Sequence, residues 1–343
     1  MTRIYLVRHA EAEGNAYRRI HGQYDSRITP NGLRQVDALR TRFQGIPIDA
    51  CYTSDLNRTC VTARAVYLPK GLELRRDRRF REVNLGRWED IPFGWLERFE
   101  PERMTQFNKE PQLWSVKNSE TFPEYTQRFL TALREAAEEN DGKTIAVFTH
   151  GCVLRGVQYL LSGNEWPPYC DNTAVSLLDY ENGAFQIEYL NDSSHLSDEI
   201  STLAKQKWWR SGEKQTDFNM WFETQGACAR AFLHDRQLGF VRVSAERCAK
   251  GEMRIERMEM DAEHRGMRFG EQLLGSAVST ARASGCHALL AAVPPQSRHF
   301  FERLGFRSRA DAAEDMLLDL RVPQAEKALA EKRFRFSAGL ICA

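Results

Sequence analysis

Three short apolar runs in the first half of the chain each stop at a polar cluster, and this limits the fold more than any other feature. Ile4–Val7 leads into Arg8-His9, Ala50–Thr53 into Ser54-Asp55-Leu56-Asn57-Arg58, and Thr144–Thr149 into His150-Gly151. Runs this short and this continuously apolar read as strands buried on both faces. Helical periodicity fills residues 31–43, 56–67 and 123–139 between them. The alternation predicts a three-layer α/β/α unit around a mostly parallel sheet. In such a sheet the C-terminal strand ends share one edge, where ligands bind. Two histidines and two arginines meeting on one edge suit a tetrahedral dianion. Residues 174–179 and 185–190 flank Glu181-Asn182-Gly183, which reads as a hairpin turn.

The texture changes at Asn191-Asp192-Ser193-Ser194-His195-Leu196-Ser197-Asp198, a polar stretch without periodicity. The expected organisation is one unit over 1–192, a second over 200–322 and a tail over 323–343. Residues 200–225 look helical, anchored by Trp208, Trp209, Trp221 and Phe222. Strands are expected at 227–233, 238–244 and 253–260, then a helix at 269–283, a strand at 288–293 and a helix at 296–304. That order predicts a mixed α+β sheet. The tail reads as a helix with an apolar end that packs on either unit or on a second chain, as in a homodimer.

Among the 343 residues the charges nearly cancel, so nothing in the whole-chain balance argues for nucleic acid or a membrane surface as partner. The first 199 residues carry about −4 and the remainder about +5. Eight cysteines stand at 51, 60, 152, 170, 228, 248, 286 and 342, none in a C-x-x-C pair. They read as reduced thiols of a cytoplasmic protein, with neither a zinc framework nor a redox motif. No apolar run reaches the length of a membrane span, and the N-terminus lacks a signal-peptide pattern.

The residue types at the shared edge fit phosphoryl transfer. A neutral imidazole can attack phosphorus and carry the phosphoryl group covalently. Guanidinium forks neutralise the non-bridging oxygens, so positioning and charge can suffice and no metal is expected. A leaving alkoxide still needs a proton, and Glu82 is the candidate donor. Leu6-Val7-Arg8-His9-Ala10-Glu11-Ala12-Glu13-Gly14-Asn15 resembles the signature of the histidine phosphatase superfamily, the phosphoglycerate-mutase-like proteins. The resemblance continues through Asp25–Gly32, Thr53–Thr59, Arg81–Glu89 and Thr149-His150-Gly151. It implies that His9 becomes phosphohistidine, that Arg8, Arg58 and His150 bind the phosphoryl group, that Glu82 donates the proton and later activates water, and that Asn15 and Gly151 line the pocket. Mutases of the family resemble longer domains, so this compact one is expected to hydrolyse a small phosphorylated metabolite; a mutase-type phosphotransferase is the alternative. Trp95, Phe99, Phe107 and Trp114 either shape the substrate pocket or pack a helical lid. The run Arg75–Arg81 either widens the positive field or is a solvated loop.

A second constellation, Asp261–Leu274, follows the strand at 253–260 and opens a helix. A glycine-bearing turn there presents backbone N–H groups to an anion. The stretch resembles the pyrophosphate loop of the GCN5-related N-acetyltransferases (GNAT), and Phe300–Phe306 is similar to that family's late motif. The resemblance implies acetyl-CoA, with the backbone of Met258 and Met260 along the pantetheine and Arg265, Gly266, Met267, Arg268, Phe269 and Gly270 around the pyrophosphate. This loop departs from the family at Glu263 and Arg268. The Tyr that usually protonates the leaving thiolate is Phe301 here, which has no proton to give. Glu256 and Glu259 are either substitute bases or exposed strand carboxylates. Three readings stay open for this unit: an acetyltransferase that uses another acid or water, a domain that binds acyl-CoA without turnover and senses it, and a structural or dimerisation module.

Overall fold

The computed structural model describes residues 1–168, 170–205, 218–246, 248–309 and 315–323. The first sheet has the strand order β3-β2-β4-β1-β5-β6. Its strands are β1 (Thr2–Arg8), β2 (Ala50–Thr53), β3 (Leu74–Arg76), β4 (Thr144–Thr149), β5 (Val175–Glu181) and β6 (Ala184–Asp192). The first four named in that order are mutually parallel, and β5 and β6 add an antiparallel edge. The edge is a hairpin whose two loop residues, Asn182 and Gly183, both have positive φ (52° and 82°). That is the turn matching the natural strand twist.

The helices are α1 (Glu13–Tyr17), α2 (Pro30–Arg42), α3 (Asn57–Tyr67), α4 (Phe93–Phe99), α5 (Pro101–Lys109), α6 (Phe122–Glu138) and α7 (Gly151–Leu161). Thr29 caps α2 by accepting the Gly32 N–H, ahead of a Pro at the first helical position. One apolar cluster joins Ile4, Leu6, Ile145 and Val147 to Phe129, Leu133, Val153 and Val157; a second joins Tyr5, Val7, Ala146 and Phe148 to Val36, Leu39, Ala63 and Val66. Alternate residues of β1 and β4 thus face opposite layers, which explains their continuous apolar runs.

The second sheet has the order β12-β13-β11-β10-β9-β8-β7. It contains β7 (Trp221–Gln225), β8 (Cys228–Leu233), β9 (Arg236–Ser244), β10 (Glu252–Met260), β11 (Ala288–Ala292), β12 (Arg307–Ser308) and β13 (Asp315–Asp319). Helix α8 (Phe269–Ala283) follows β10, and α9 (Arg298–Arg303) follows β11. Among the described residues of this sheet, only β10 and β11 are parallel neighbours. The expected helix over 200–225 is corrected here. Residues 221–225 are a strand, because Trp221 stacks on Phe232 across the β7–β8 ladder at 4.4 Å between ring centroids; Trp208 and Trp209 lie outside the described residues, as does the tail from 324. No described helix is long and apolar enough to cross a membrane.

The two sheets share packing. Ala16 and Tyr17 of α1 belong to the apolar cluster built by α8 and the second sheet, with Phe269, Leu273, Val278 and Val241. The seven described cysteines are free thiols.

Candidate active site

Strand register builds the first site. In the parallel β1–β4 ladder Arg8 lies opposite Thr149. The next residue of each chain segment is a histidine, and the rings of His9 and His150 sit 5.3 Å apart. The His9 N–H donates to Thr149 O (2.9 Å) and Ser54 N–H to Phe148 O (3.0 Å), so the chain leaves all three strands at one level. Arg58 is on the first turn of α3, immediately after that crossing. His9 is 3 % exposed, and Arg58 and His150 are fully buried.

Each ring has a defined tautomer. His9 Nδ1 lies 2.7 Å from Ala10 O, so it carries the proton and leaves the Nε2 lone pair free. Burial, then the Arg58 and Arg8 charges, hold the His9 imidazole well below its ordinary pKa. It is therefore neutral at pH 7. His150 Nδ1 accepts from Arg58 Nε (3.2 Å), which puts its proton on Nε2, a buried atom with no protein partner. Burial and then Arg58 also push the His150 pKa well down. Arg58 is held by the carbonyls of Gly22 (2.6 Å) and Tyr24 (3.1 Å) and by Asp25 at 3.5 Å.

Arg8 donates through Nη1 to Cys170 O, and its Nε is buried without a protein partner. Gly151 makes room for it: a Cβ there would stand 2.9 Å from that Nε. Glu82 comes in behind Phe80, whose carbonyl accepts from Thr149 Oγ1 (2.8 Å). Its carboxylate accepts from the N–H groups of Val83, Cys152 and Val153 at 3.1, 3.0 and 2.7 Å, at the start of α7. Asn15, on α1, caps Ala12 N–H through Oδ1 (3.0 Å). The structure thus draws Arg8, His9, Asn15, Arg58, Glu82, His150 and Gly151 to one edge. Unpartnered buried donors on Arg8 and His150 are exceptional in folded proteins, and here they accompany a free imidazole lone pair.

Two neighbours escaped the sequence reading. Asn172 donates to His9 O (2.9 Å) and has an unpartnered Oδ1. His21 packs against Gly14, where a Cβ would stand 2.0 Å from its Nε2. Burial and then the Arg58, Arg282, Arg8 and Arg19 charges push its pKa well down. The polar triplet Asp171-Asn172-Thr173 before a buried strand was the available signal for the first; His21-Gly22 offered none. The arginine run is largely neutralised: Arg75 pairs with Glu139, Arg79 with Asp77 and Glu135, and Arg81 with Asp55. Phe107 and Trp114 pack on Trp88, and Phe99 on Trp221 of the second sheet. A cavity of about 30 Å³ lies beside Phe107, Trp114, Cys152 and Arg155.

In the second unit, the β10–β11 ladder pairs only Glu252–Ile255 with Ala288–Ala291. Beyond a bulge at Ile255/Arg257, β10 stays paired with β9 alone, so Met258 and Met260 have no ladder partner on the β11 side. Gly266 (φ 75°) and Arg268 (φ 66°) shape the turn into α8. Arg265 reaches back to Met260 O (3.4 Å), Met267 is exposed, and Arg268 lies 3.7 Å from Glu271. Phe269 is buried and Gly270 faces Phe300. Phe301 is buried against Phe300 and Phe306. Glu259 pairs with Arg257 at 2.6 Å, and Glu256 is exposed. Among the described residues, Asp261, Glu263 and His264 are close enough to hold a metal ion, but Arg236 already pairs with both carboxylates.

Residues 4–193 match the histidine phosphatase superfamily (branch 1). The chain belongs to that superfamily. Residues 193–306 match the acetyltransferase (GNAT) family, so a GNAT-like domain is fused to the histidine-phosphatase domain. The chain is 27 % identical over 202 residues to phosphoserine phosphatase 1 of Hydrogenobacter thermophilus, covering 58 % of this chain and 96 % of that protein. It is 31 % identical over 205 residues to the probable phosphoglycerate mutase GpmB of Yersinia pestis, covering 57 % and 95 %. Among solved structures, Bacillus stearothermophilus YhfR superposes with a TM-score of 0.55 at 29 % identity, over 57 % of this chain and all of that one. Homology to phosphatases and mutases of this superfamily supports a phosphatase-type enzyme.

Proposed function

We propose that the histidine-phosphatase domain is a metal-independent phosphomonoesterase acting through a phosphohistidine on His9. The observation that carries this is the free Nε2 of a neutral His9 beside the unpartnered Nε2–H of His150 and the Arg8 and Arg58 guanidinia. His9 Nε2 attacks phosphorus, the P–O ester bond breaks, and the leaving alkoxide takes a proton from Glu82. Water then attacks the phosphohistidine, gives its proton to Glu82, and inorganic phosphate leaves with His9 restored. Arg8, Arg58 and His150 hold the three non-bridging oxygens, and Asn15 and Gly151 line the pocket. Relatives named as a phosphoserine phosphatase and a probable mutase favour a small phosphorylated metabolite, with a mutase-type phosphotransferase as the alternative. Phosphate release across a panel of such esters, with acid-quenched protein searched for phosphohistidine by mass spectrometry, tests this. Activity lost on removing EDTA-chelatable metal, or retained by His9→Ala, overturns it.

The GNAT-like domain has one specific observation behind a second ligand: β10 parts from β11 where Met258 and Met260 would meet a pantetheine chain, ahead of the Arg265–Gly270 turn. Acetyl-CoA is the proposed ligand, with transfer limited by Phe301. Calorimetric titration with acetyl-CoA tests binding, and thiol release against amines separates transfer from sensing. A cytoplasmic location is proposed on the free thiols of the seven described cysteines.

A further inference from the structure

Helix α8 presents Gly275, Ser279 and Arg282 on one face, at the i, i+4, i+7 spacing. Each touches a different part of the phosphatase domain. A Cβ at Gly275 would stand 2.5 Å from Tyr17 Cβ, so only glycine lets α1 approach this closely. Ser279 Oγ donates to Asp90 (2.5 Å), which also accepts from Arg19 (2.7 Å). Arg282 Nη2 donates to Glu13 (2.8 Å) and to Leu320 O (3.2 Å), with Tyr24 beside it. The Arg282 and Glu13 side chains are 14 % and 7 % exposed.

These contacts reach the phosphate site in two short steps. Glu13 opens α1, the helix that carries Asn15, and its carboxylate also accepts Arg27 N–H (3.3 Å). The segment between Glu13 and Arg27 supplies the Gly22 and Tyr24 carbonyls that fix Arg58. Independently, Asn57, the residue before Arg58, donates to Pro323 O (3.0 Å), and Arg27 donates to Asp319 O (3.0 Å). We propose that the GNAT-like domain completes the phosphate site, with Arg282 as a positioning residue. It braces the segment that fixes Arg58, and it balances a Glu13 carboxylate that would otherwise repel the incoming dianion. A buried carboxylate stripped of its partner is costly and acts over a longer range than one in water. The inference rests on the phosphatase reading of the first domain.

The test uses the full chain and two probes, p-nitrophenyl phosphate turnover and calorimetric binding of inorganic phosphate. Arg282→Gln is expected to lower kcat/KM and phosphate affinity each by about tenfold or more, since a lost partner leaves a buried charge. Glu13→Gln/Arg282→Gln is expected to recover most of that loss, because the pair is coupled. Arg282→Lys, which keeps the charge but loses the fork, should fall between. Arg254→Gln is the control: it breaks the Arg254–Asp315 pair (2.6 Å) in the second sheet, at the end of β13 away from the Leu320 contact of Arg282, and should leave both readouts near wild type. If Arg282→Gln melts early, Arg282→Lys and the double variant carry the comparison. Wild-type behaviour in Arg282→Gln overturns the proposal, as does an equal loss in Arg254→Gln. A wild type that binds phosphate but hydrolyses no ester overturns the phosphatase reading and leaves the binding arm to decide this one; one that does neither overturns both.

Discussion

The reacting core of the candidate phosphate site is buried and held by protein partners, with Arg8 half-buried beside it, whereas the turn into α8 is exposed and built of backbone. His9, Arg58 and His150 are almost wholly out of water, and each has one ring or guanidinium edge tied to protein. The α8 turn has Met267 exposed and Arg265 reaching its own strand, and Phe301 on α9 has no proton to give. The difference teaches what each region can do. Preorganised donors in a low-dielectric site stabilise a transition state; backbone N–H groups at a helix start hold an anion but move no proton. On the proposed function, the first region suits chemistry and the second suits holding.

The largest expected effect falls on the nucleophile. His9→Ala should lower kcat/KM by on the order of 10⁴-fold or more, since removing a nucleophile removes the whole covalent route. A residual rate within tenfold of wild type breaks the comparison. Glu82→Gln should cost about 10²- to 10³-fold with alkyl phosphates, in the range of general acid catalysis. The first-turnover burst with p-nitrophenyl phosphate should fall far less, because p-nitrophenolate leaves without help. Equal losses on both esters remove Glu82 from the proton-transfer role.

Acid should act on both activity and stability. The His9 and His150 pKa values lie well below the ordinary 6.5, so the proposed nucleophile, the His9 imidazole, stays neutral as pH falls through 6.5. Corrected for the ester's own ionisation, the acid limb of kcat/KM is expected below that value. Stability behaves differently. Unfolded histidines take up protons near 6.5 while the buried rings of His9, His21 and His150 do not, and His195 follows only at about 4. The unfolded state therefore binds more protons below 6.5. Stability is full above that pH and declines as pH falls, by up to about 1.4 kcal/mol per unit for each such ring. Urea midpoints from pH 7.5 to 4.5 measure it, and a flat profile contradicts the burial.

The legibility of the two regions in the sequence differs for the same reason. Arg8, His9, Arg58 and His150 follow strands or open a helix, so local pattern alone places them on one edge. Asn172 and Arg282 act on His9 and Glu13 from 163 and 269 residues away, and no periodicity marks such a pairing. Residues 221–225 look helical in isolation because nothing local shows that Trp221 meets Phe232. The short strands β3, β12 and β13 went unrecognised because two to five residues seldom outweigh their neighbours before the ladder exists.

The smallest expected effect sharpens the comparison from the other side. Phe301→Tyr restores the residue type the GNAT family commonly uses as acid. If absence of a hydroxyl were all that separated the second region from chemistry, thiol release from acetyl-CoA should rise. The packing argues otherwise. The Phe301 ring is buried edge-on against Phe300 and Phe306 at 5.2 and 5.0 Å. Burying a hydroxyl without a partner costs about 1–3 kcal/mol. The variant should therefore melt a few degrees lower with no gain in transfer, while acetyl-CoA affinity stays unchanged because backbone supplies that site. A rise in thiol release at an unchanged melting temperature would show that the region lacks one proton rather than the whole of a reactive centre.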